Sequence, residues 1–320
     1  MAITCSRCGR DYDVTLFQFG RTVRCECGNE VTLSGGRKGT QASNAAHGVK
    51  IMSLHAPLFD LHHTLASGQV FRYCRTDGGY RVIAGNRILR LRQTGDVLEF
   101  SGADEAFVRR FLGLDDDLAA ILRRLGKIPQ LRRPIEACRG LRIVRHDLWE
   151  CLVSFICSTN SNIPKIRRSL DLMAEIFGKP ITCGEDRGYA FPEIGSLNDL
   201  AGLRQTGIGY RADFVFEANS RCSRKLLDEI AAMNYEDARE ALKCLPGVGD
   251  KVADCVCLFS LGHHEAFPVD VWVARAMQEL FPSAARNPRE IRKVAADIFG
   301  PDAGYAQQYL FHYLRNCRSS

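Results

Sequence analysis

At 320 residues, 46% hydrophobic and 25% charged, the chain is long enough for two or three domains with a well-buried core, and its composition excludes a disordered or fibrous protein. No apolar run approaches the roughly 18 residues of a membrane span, and the opening MAITCSRCGR lacks a secretory apolar region, so the protein is expected to stay inside the cell and not be secreted. Forty-three Lys and Arg against 37 Asp and Glu give a net charge of +6, which by itself barely favours a polyanionic partner.

Residues 1–34 form a unit of their own: CSRCG, then RDYDVTLFQFGRTVR, then CECGNEVTL. The middle stretch alternates apolar and polar residues about Gly20, as a hairpin does, which would bring Cys5 and Cys8 together with Cys25 and Cys27. Gly9 and Gly28 follow the two pairs and let the backbone wrap the sulfurs. Four thiolates on two tight turns suit a structural, tetrahedral Zn2+, whose binding would fold so small a piece. The C-x-C spacing of the second pair is tighter than the usual C-x2-C, and an oxidised or empty cluster is the alternative. Fourteen cysteines in an unsecreted chain point to metal ligands and buried thiols before disulfides. Residues 35–48 lack large apolar side chains and are expected to be a flexible linker.

From 49 to 118 the short β-branched or aromatic runs GQVFRYC, YRVIAG, RILRLRQ and VLEFSG, separated by TDGG and QTGD turns, predict an antiparallel β domain. From 119 to 320 the periodicity turns helical, in DLWECLVSFICSTN, IRRSLDLMAEIFG, NYEDAREALKCL and AGYAQQYLFHYLRNC. The expected fold class is therefore α+β: an N-terminal zinc ribbon, an antiparallel sheet, then an all-helical domain. Between Ile121 and Arg145 there are eight basic residues and one acidic one, Glu136, which suits either phosphate contacts or a solvated helix face.

Further on, EALKCLPGVGDKVADCVCLFSLG contains an apolar helix, a G-V-G turn, and a second helix from Asp250 that stops at Gly262. Gly247 and Gly249 allow a sharp turn and bare the N–H groups at the start of the second helix, around Val252, a seat for a phosphate. This is the pattern of a helix-hairpin-helix, which binds DNA through its backbone without reading sequence. A weaker echo, TGIGYRADFV, lies at Thr206–Val215.

Lys251 falls in the first turn of that helix, where the positive helix end opposes its charge. It is either a solvated phosphate contact or an amine nucleophile, and a nucleophilic lysine needs its charge disfavoured, by the helix end and by burial under a bound base. Asp270 follows Pro268 just before another helical run. It is either an N-cap or, paired with Lys251, a carboxylate that stabilises positive charge developing on a deoxyribose.

Together LPGVGDKVADCVCL, PVDVW, ECLVSFICSTNSNI, TGIGYRA, GPDAGYAQQYLF and LASGQVFRY resemble, in family order from about residue 54 to 315, 8-oxoguanine DNA glycosylase of the helix-hairpin-helix superfamily. The resemblance leaves out residues 1–48. It implies a bifunctional base-excision repair enzyme, a DNA glycosylase and AP lyase, that flips an oxidised guanine out of duplex DNA, breaks its glycosidic bond and nicks the backbone by β-elimination. Lys251 would be the nucleophile and Asp270 the catalytic carboxylate. Gly68 would accept the N7–H that 8-oxoguanine has and guanine lacks, Gln307 would meet the Watson–Crick edge, and Cys255 and Phe311 would sandwich the ring. Lys251 and Cys255, i and i+4, share a helix face.

Asn160 and Arg211 match family residues that contact the orphaned cytosine, and Tyr210 matches an aromatic wedge. Two departures matter. Lys165 stands where the animal enzymes carry a second cytosine-reading Arg, and Trp272 where they carry a His, so a relaxed opposite-base preference is expected. The iron–sulfur cluster of some superfamily members needs four cysteines after the catalytic Asp; only Cys317 follows Asp270, so no cluster is expected, and no organic cofactor either. The implied partner is damaged double-stranded DNA, with no membrane, met by a monomer wherever the genome lies, in a nucleoid or a nucleus. Two other readings stay open: a glycosylase for other damaged purines, with ring-opened guanine a shared substrate, and a non-catalytic DNA-binding protein, which would need neither Lys251 nor Asp270.

Overall fold

The computed structural model describes residues 50–281 and 287–317, together with four short strands nearer the N-terminus. The chain divides into Met1–Ala46 and His47–Ser320. In the first unit β1 (Ala2–Thr4) pairs antiparallel with β2 (Asp11–Asp13), and β3 (Thr22–Arg24) with β4 (Glu30–Thr32). The hairpin expected about Gly20 falls on residues 14–21, which lie outside the described residues. Cys5, Cys8, Cys25, Cys27 and the expected linker lie outside the described residues.

The second unit opens with β5 (Met52–His55) and a short helix α1 (Leu61–Ala66), followed by β6 (Tyr73–Thr76), β7 (Gly79–Ala84), β8 (Arg87–Thr94) and β9 (Val97–Ser101). These strands form one antiparallel sheet in the order β5-β9-β8-β7-β6. Val82, Leu89, Leu91, Leu98 and Phe100 bury one core with Leu65 of α1 and with Val108 and Phe111 of α2 (Glu105–Phe111). The run GQVFRYC becomes a strand only from Tyr73. Gly68 has φ +79°, and the Gln69 amide is spent on the carbonyls of Thr64 and Arg142, so this stretch is a braced loop rather than a ladder partner.

The helical part comprises α3 (Leu118–Leu125), α4 (Arg132–Ala137), α5 (Leu148–Ser158) and α6 (Ile163–Phe177), then an unanticipated hairpin, β10 (Pro180–Cys183) with β11 (Asp186–Tyr189). It continues through α7 (Leu200–Gln205), α8 (Arg211–Arg221), α9 (Arg224–Ala231), α10 (Tyr235–Lys243), α11 (Asp250–Val256), α12 (Val271–Leu280), α13 (Pro288–Phe299) and α14 (Ala303–His312). Side-chain oxygens of Asp147, Asn162, Asn234 and Asn287 accept the free N–H groups that open α5, α6, α10 and α13. Helix α5 is buried from Trp149 to Cys157 and runs through the centre of the second core.

Three of the eight basic residues between Ile121 and Arg145 are internal ties. Arg124 forks onto Asp302 at 2.5 and 2.7 Å, Arg142 donates to the carbonyls of Gly113 and Asp116, and Arg145 pairs with Asp116 at 3.1 Å. The other five, Arg123, Lys127, Arg132, Arg133 and Arg139, are exposed.

Candidate active site

Helices α10 and α11 enclose the turn that the sequence marked. Gly247 has φ +77°, and a Cβ there would stand 2.8 Å from Phe214 Cβ and 3.1 Å from Ile156 Cγ2, so both conformation and space require glycine. Gly249 precedes α11 in an extended conformation with open space beside it, leaving the first N–H groups of the helix uncovered by a side chain. Helix α11 passes into a π-helical turn, Cys257–Leu261, and ends at Gly262 with φ +81°. The echo TGIGYRA likewise links α7 to α8, with Gly207 at φ +77° and Gly209 at φ +63°.

Lys251 is the second residue of α11. Its Nζ donates to Ser158 Oγ at 2.8 Å, Ser158 Oγ donates onward to the Phe155 carbonyl at 2.7 Å, and the ammonium stands 5.0 Å from the centre of the Phe155 ring. Among the described residues no carboxylate lies within ion-pair distance of Lys251. Asp270 caps α12, one carboxylate oxygen accepting the Val273 N–H at 2.8 Å. The cap predicted as the plain alternative is thus real, and it fixes the carboxylate.

Lys251 and Asp270 both open onto two adjoining hollows. The smaller, about 50 Å³, is also lined by Gly68, Cys255, Gln307, Gln308 and Phe311. The wider groove, about 690 Å³, is lined in addition by Asn160, Gly247, Gly249, Val252 and Trp272. A Cβ on Gly68 would meet Phe311 Cε1 at 3.0 Å, so that ring lies directly against the glycine. Burial pushes the Cys255 thiol up to about 12, with Lys251 opposing the shift, so the sulfur stays protonated and offers a packing surface rather than a nucleophile. Gln307 is 4% exposed, and its Oε1 is buried without a partner. A buried amide oxygen left unpaired costs about 1–3 kcal/mol, and a site that carries such an atom is prepared for a donor from outside the protein.

On the groove's far lip, Asn160 adopts φ +48° and its amide donates to the Tyr210 hydroxyl at 3.4 Å. Tyr210 is 53% exposed. Arg211 is buried. Its guanidinium donates to the carbonyls of Thr159, Asn160 (2.9 Å) and Ile208 (2.8 Å) and lies 4.6 Å from the Tyr210 ring centre. It therefore clamps the left-handed turn that presents Asn160. Trp272 is exposed in the first turn of α12, with the Arg275 guanidinium 5.7 Å from its ring. Lys165 is exposed in the first turn of α6 and is not part of the groove lining.

Sequence reasoning missed the ionic brace beside Lys251, of which Asp250 and Arg292 also line the wide groove. Asp254, fully buried, accepts from Arg239 Nε at 2.7 Å and the Tyr235 hydroxyl at 2.9 Å, while Asp250 accepts from Arg239 at 2.6 Å and Arg292 at 3.2 Å. This ties α10, α11 and α13 together. The signal was present: a carboxylate within the otherwise apolar run VADCVCLF has to find a partner. Among the described residues no helix is long and apolar enough to cross a membrane.

A sequence model described as 8-oxoguanine DNA glycosylase, N-terminal domain, matches residues 51–152. The chain is 31% identical over 277 residues to the N-glycosylase/DNA lyase OGG1 of Arabidopsis thaliana, covering 78% of this chain and 75% of that one. It is 34% identical over 204 residues to a probable N-glycosylase/DNA lyase of Methanothermobacter thermautotrophicus; that match covers 57% of this chain and 65% of the archaeal one. Among solved structures, the Clostridium acetobutylicum 8-oxoguanine glycosylase/lyase bound to duplex DNA with cytosine opposite 8-oxoguanine superposes with a TM-score of 0.78 at 30% identity, covering 83% of this chain and 98% of that one.

Proposed function

The chain belongs to the 8-oxoguanine DNA glycosylase family, and from that premise we propose that it excises 8-oxoguanine from duplex DNA and then cuts the backbone as an AP lyase, with Lys251 as nucleophile. The observation that carries the reading is that Lys251 and Asp270 open onto the same small hollow as Gly68, Cys255, Gln307 and Phe311.

In this reading the α10–α11 turn holds a backbone phosphate on its bare N–H groups, and the exposed Tyr210 and Asn160 occupy the space that an everted nucleotide vacates. The base enters between Cys255 and Phe311. Its N7–H meets the Gly68 carbonyl, and its Watson–Crick edge supplies the donor that Gln307 Oε1 lacks. Guanine would turn a lone pair toward Gly68, a mismatch of about 1–3 kcal/mol. The Lys251 amine attacks the sugar C1′ as the glycosidic electrons leave with the base. The fixed Asp270 carboxylate stabilises the positive charge that develops on the sugar. Ring opening yields a Schiff base on Lys251; loss of a C2′ proton then expels the 3′ phosphate. Acting on the genome, the enzyme works where the genome lies.

Borohydride trapping on a duplex containing 8-oxoguanine tests this directly. The wild type should become covalently linked to DNA and Lys251→Gln should not. Absence of a wild-type adduct would leave a DNA-binding protein, and trapping on alkylated but not oxidised purines would leave a glycosylase of other specificity. Ring-opened guanine keeps the matching N–H and should also be excised.

A structural zinc held by Cys5, Cys8, Cys25 and Cys27 is part of the same proposal. Its support is the donor set, four thiols in two close pairs, each falling in the sequence between two strands that pair with each other. The metal would hold the N-terminal unit folded and takes no part in the chemistry at Lys251. Elemental analysis should find one zinc per chain, lost in the Cys5→Ser, Cys8→Ser double variant.

A further inference from the structure

Recognition through Gly68 depends on where one carbonyl oxygen points, and a peptide plane in a loop keeps its direction only if something holds it. Gly68 follows α1 in a left-handed conformation, φ +79°. Among the described residues no hydrogen bond is made to its carbonyl. The carbonyls on either side are both taken by side chains. Gln308 Nε2 donates to the Ser67 carbonyl at 2.8 Å; this glutamine is 1% exposed and lines the small hollow beside Gly68. His146 Nε2 lies 2.8 Å from the Gln69 carbonyl. Because a carbonyl only accepts, the imidazole proton sits on Nε2; burial brings the ring down to about 4, so it is neutral at physiological pH. The Gln69 side chain is itself fixed, donating to Arg142 O at 2.7 Å and accepting from Val144 N at 2.9 Å.

The oxygen of Gly68 belongs to the peptide between Gly68 and Gln69. That plane is suspended between two others, one held through Ser67 O and one through Gln69 O. With both neighbours fixed, rotation of the middle plane, otherwise easy at glycine, is opposed at each end. We propose that Gln308 and His146 are positioning residues for lesion discrimination: by holding the carbonyls of Ser67 and Gln69 they keep the Gly68 oxygen aimed at the N7 edge of the bound purine. The inference rests on the small hollow being the 8-oxoguanine pocket. Gln308 makes its bond from the same turn of α14 as Gln307, so one helix both meets the base and sets the carbonyl that tests it.

The test compares affinity for duplexes carrying uncleavable 2′-fluoro-arabino nucleotides of 8-oxoguanine and of guanine, with cleavage at a preformed abasic site as the readout that needs no base recognition. Gln308→Met removes the donor at nearly constant volume, His146→Phe removes the other, and His146→Gln retains an N–H donor at similar reach. Gln308→Met and His146→Phe should each lower the 8-oxoguanine preference about tenfold or more, the loss of one well-directed hydrogen bond in a dry site, while abasic-site cleavage is retained. His146→Gln should keep most of the preference. An unchanged preference in the first two variants, or abasic cleavage falling in step with it, would overturn the assignment, the second outcome marking the residues as supports of the fold alone. A wild type with no preference for the 8-oxoguanine duplex would overturn the identity of the pocket, and the positioning role with it.

Discussion

Asp254→Ala should destabilise the folded protein markedly, although residue 254 faces away from the groove. The carboxylate is fully buried and accepts from Arg239 at 2.7 Å and Tyr235 at 2.9 Å, with Arg292 at 3.5 Å. Burial pushes its carboxyl up, offset only in part by Arg239, so the brace is held by mutual pairing rather than by easy solvation. Breaking a buried pair by removing one partner typically costs about 3–5 kcal/mol. Here Arg239 keeps Asp250 at 2.6 Å and Glu240 at 2.9 Å, which lowers that figure, while the orphaned Tyr235 hydroxyl raises it again. About 3 kcal/mol is the balance, and in a unit of this size that lowers Tm by about 6–12 °C. Thermal unfolding followed by circular dichroism reads the shift. Replacing both partners, Arg239→Met with Asp254→Leu, should cost less than Asp254→Ala alone, because no charge is left unpaired. A Tm for Asp254→Ala within about 2 °C of wild type, or a double variant as unstable as the sum of its parts, would refute the reasoning.

Gln307→Met should raise Tm by about 2–4 °C, since an unpartnered buried acceptor worth about 1 kcal/mol disappears, while 8-oxoguanine excision falls; a lower Tm with unchanged excision would contradict this. Burial pushes Glu150 up to about 7 against Arg72, so it favours the fold while protonated, and that contribution is lost as pH rises from about 4.5 through 7. His146, lowered by burial to about 4, does the opposite, its contribution being lost as pH falls from about 6.5 through 4; Glu150→Gln should therefore unmask a stability that climbs with pH across that window, measured by urea titration at each pH. Opposite-base preference should be shallow. A bidentate arginine on a base is worth about 1–3 kcal/mol, Lys165 is a point charge, and Arg211 spends its donors on backbone carbonyls, so single-turnover rates opposite the four bases should fall within about tenfold.

Local chemistry was legible wherever one residue type leaves little choice. Gly247 and Gly262 marked a turn and a stop because their conformations exclude other residues, and Asp270 marked a helix start because its carboxylate satisfies a bare N–H. Short strands within the helical part were harder to read, as the unanticipated hairpin of β10 and β11 shows. Helix α1 is hidden because six residues are too few to establish a period, and Arg142 reads as a surface charge because nothing in RGLRIVR says that four carbonyls surround its guanidinium. Gln308 is not distinguished from Gln307 by sequence for the same reason, since its bond is to residue 67 across the fold.

Helix α11 shows how the misplaced lysine is accommodated. Asp250 and Asp254, i and i+4, form one face of its first turns, and Lys251 and Cys255, also i and i+4, form the next face round. The first face is committed: although burial raises Asp250, Arg292 and Arg239 hold its carboxyl below the usual range, and Asp254 is taken by Arg239. A carboxylate at the start of a helix is stabilising, and here it meets the helix end while its charge is consumed by arginines from α10 and α13. The lysine one residue on is thus left with a hydroxyl and an aromatic face in place of an ion pair. An amine paired to Asp250 would be held as an ammonium; the double variant Arg239→Met with Asp254→Leu takes away the nearest partner of Asp250 and loosens it toward that pair. The variant should therefore lose Schiff-base trapping faster than it loses DNA affinity. Trapping and affinity declining together would show that the brace supports only the shape of the hairpin.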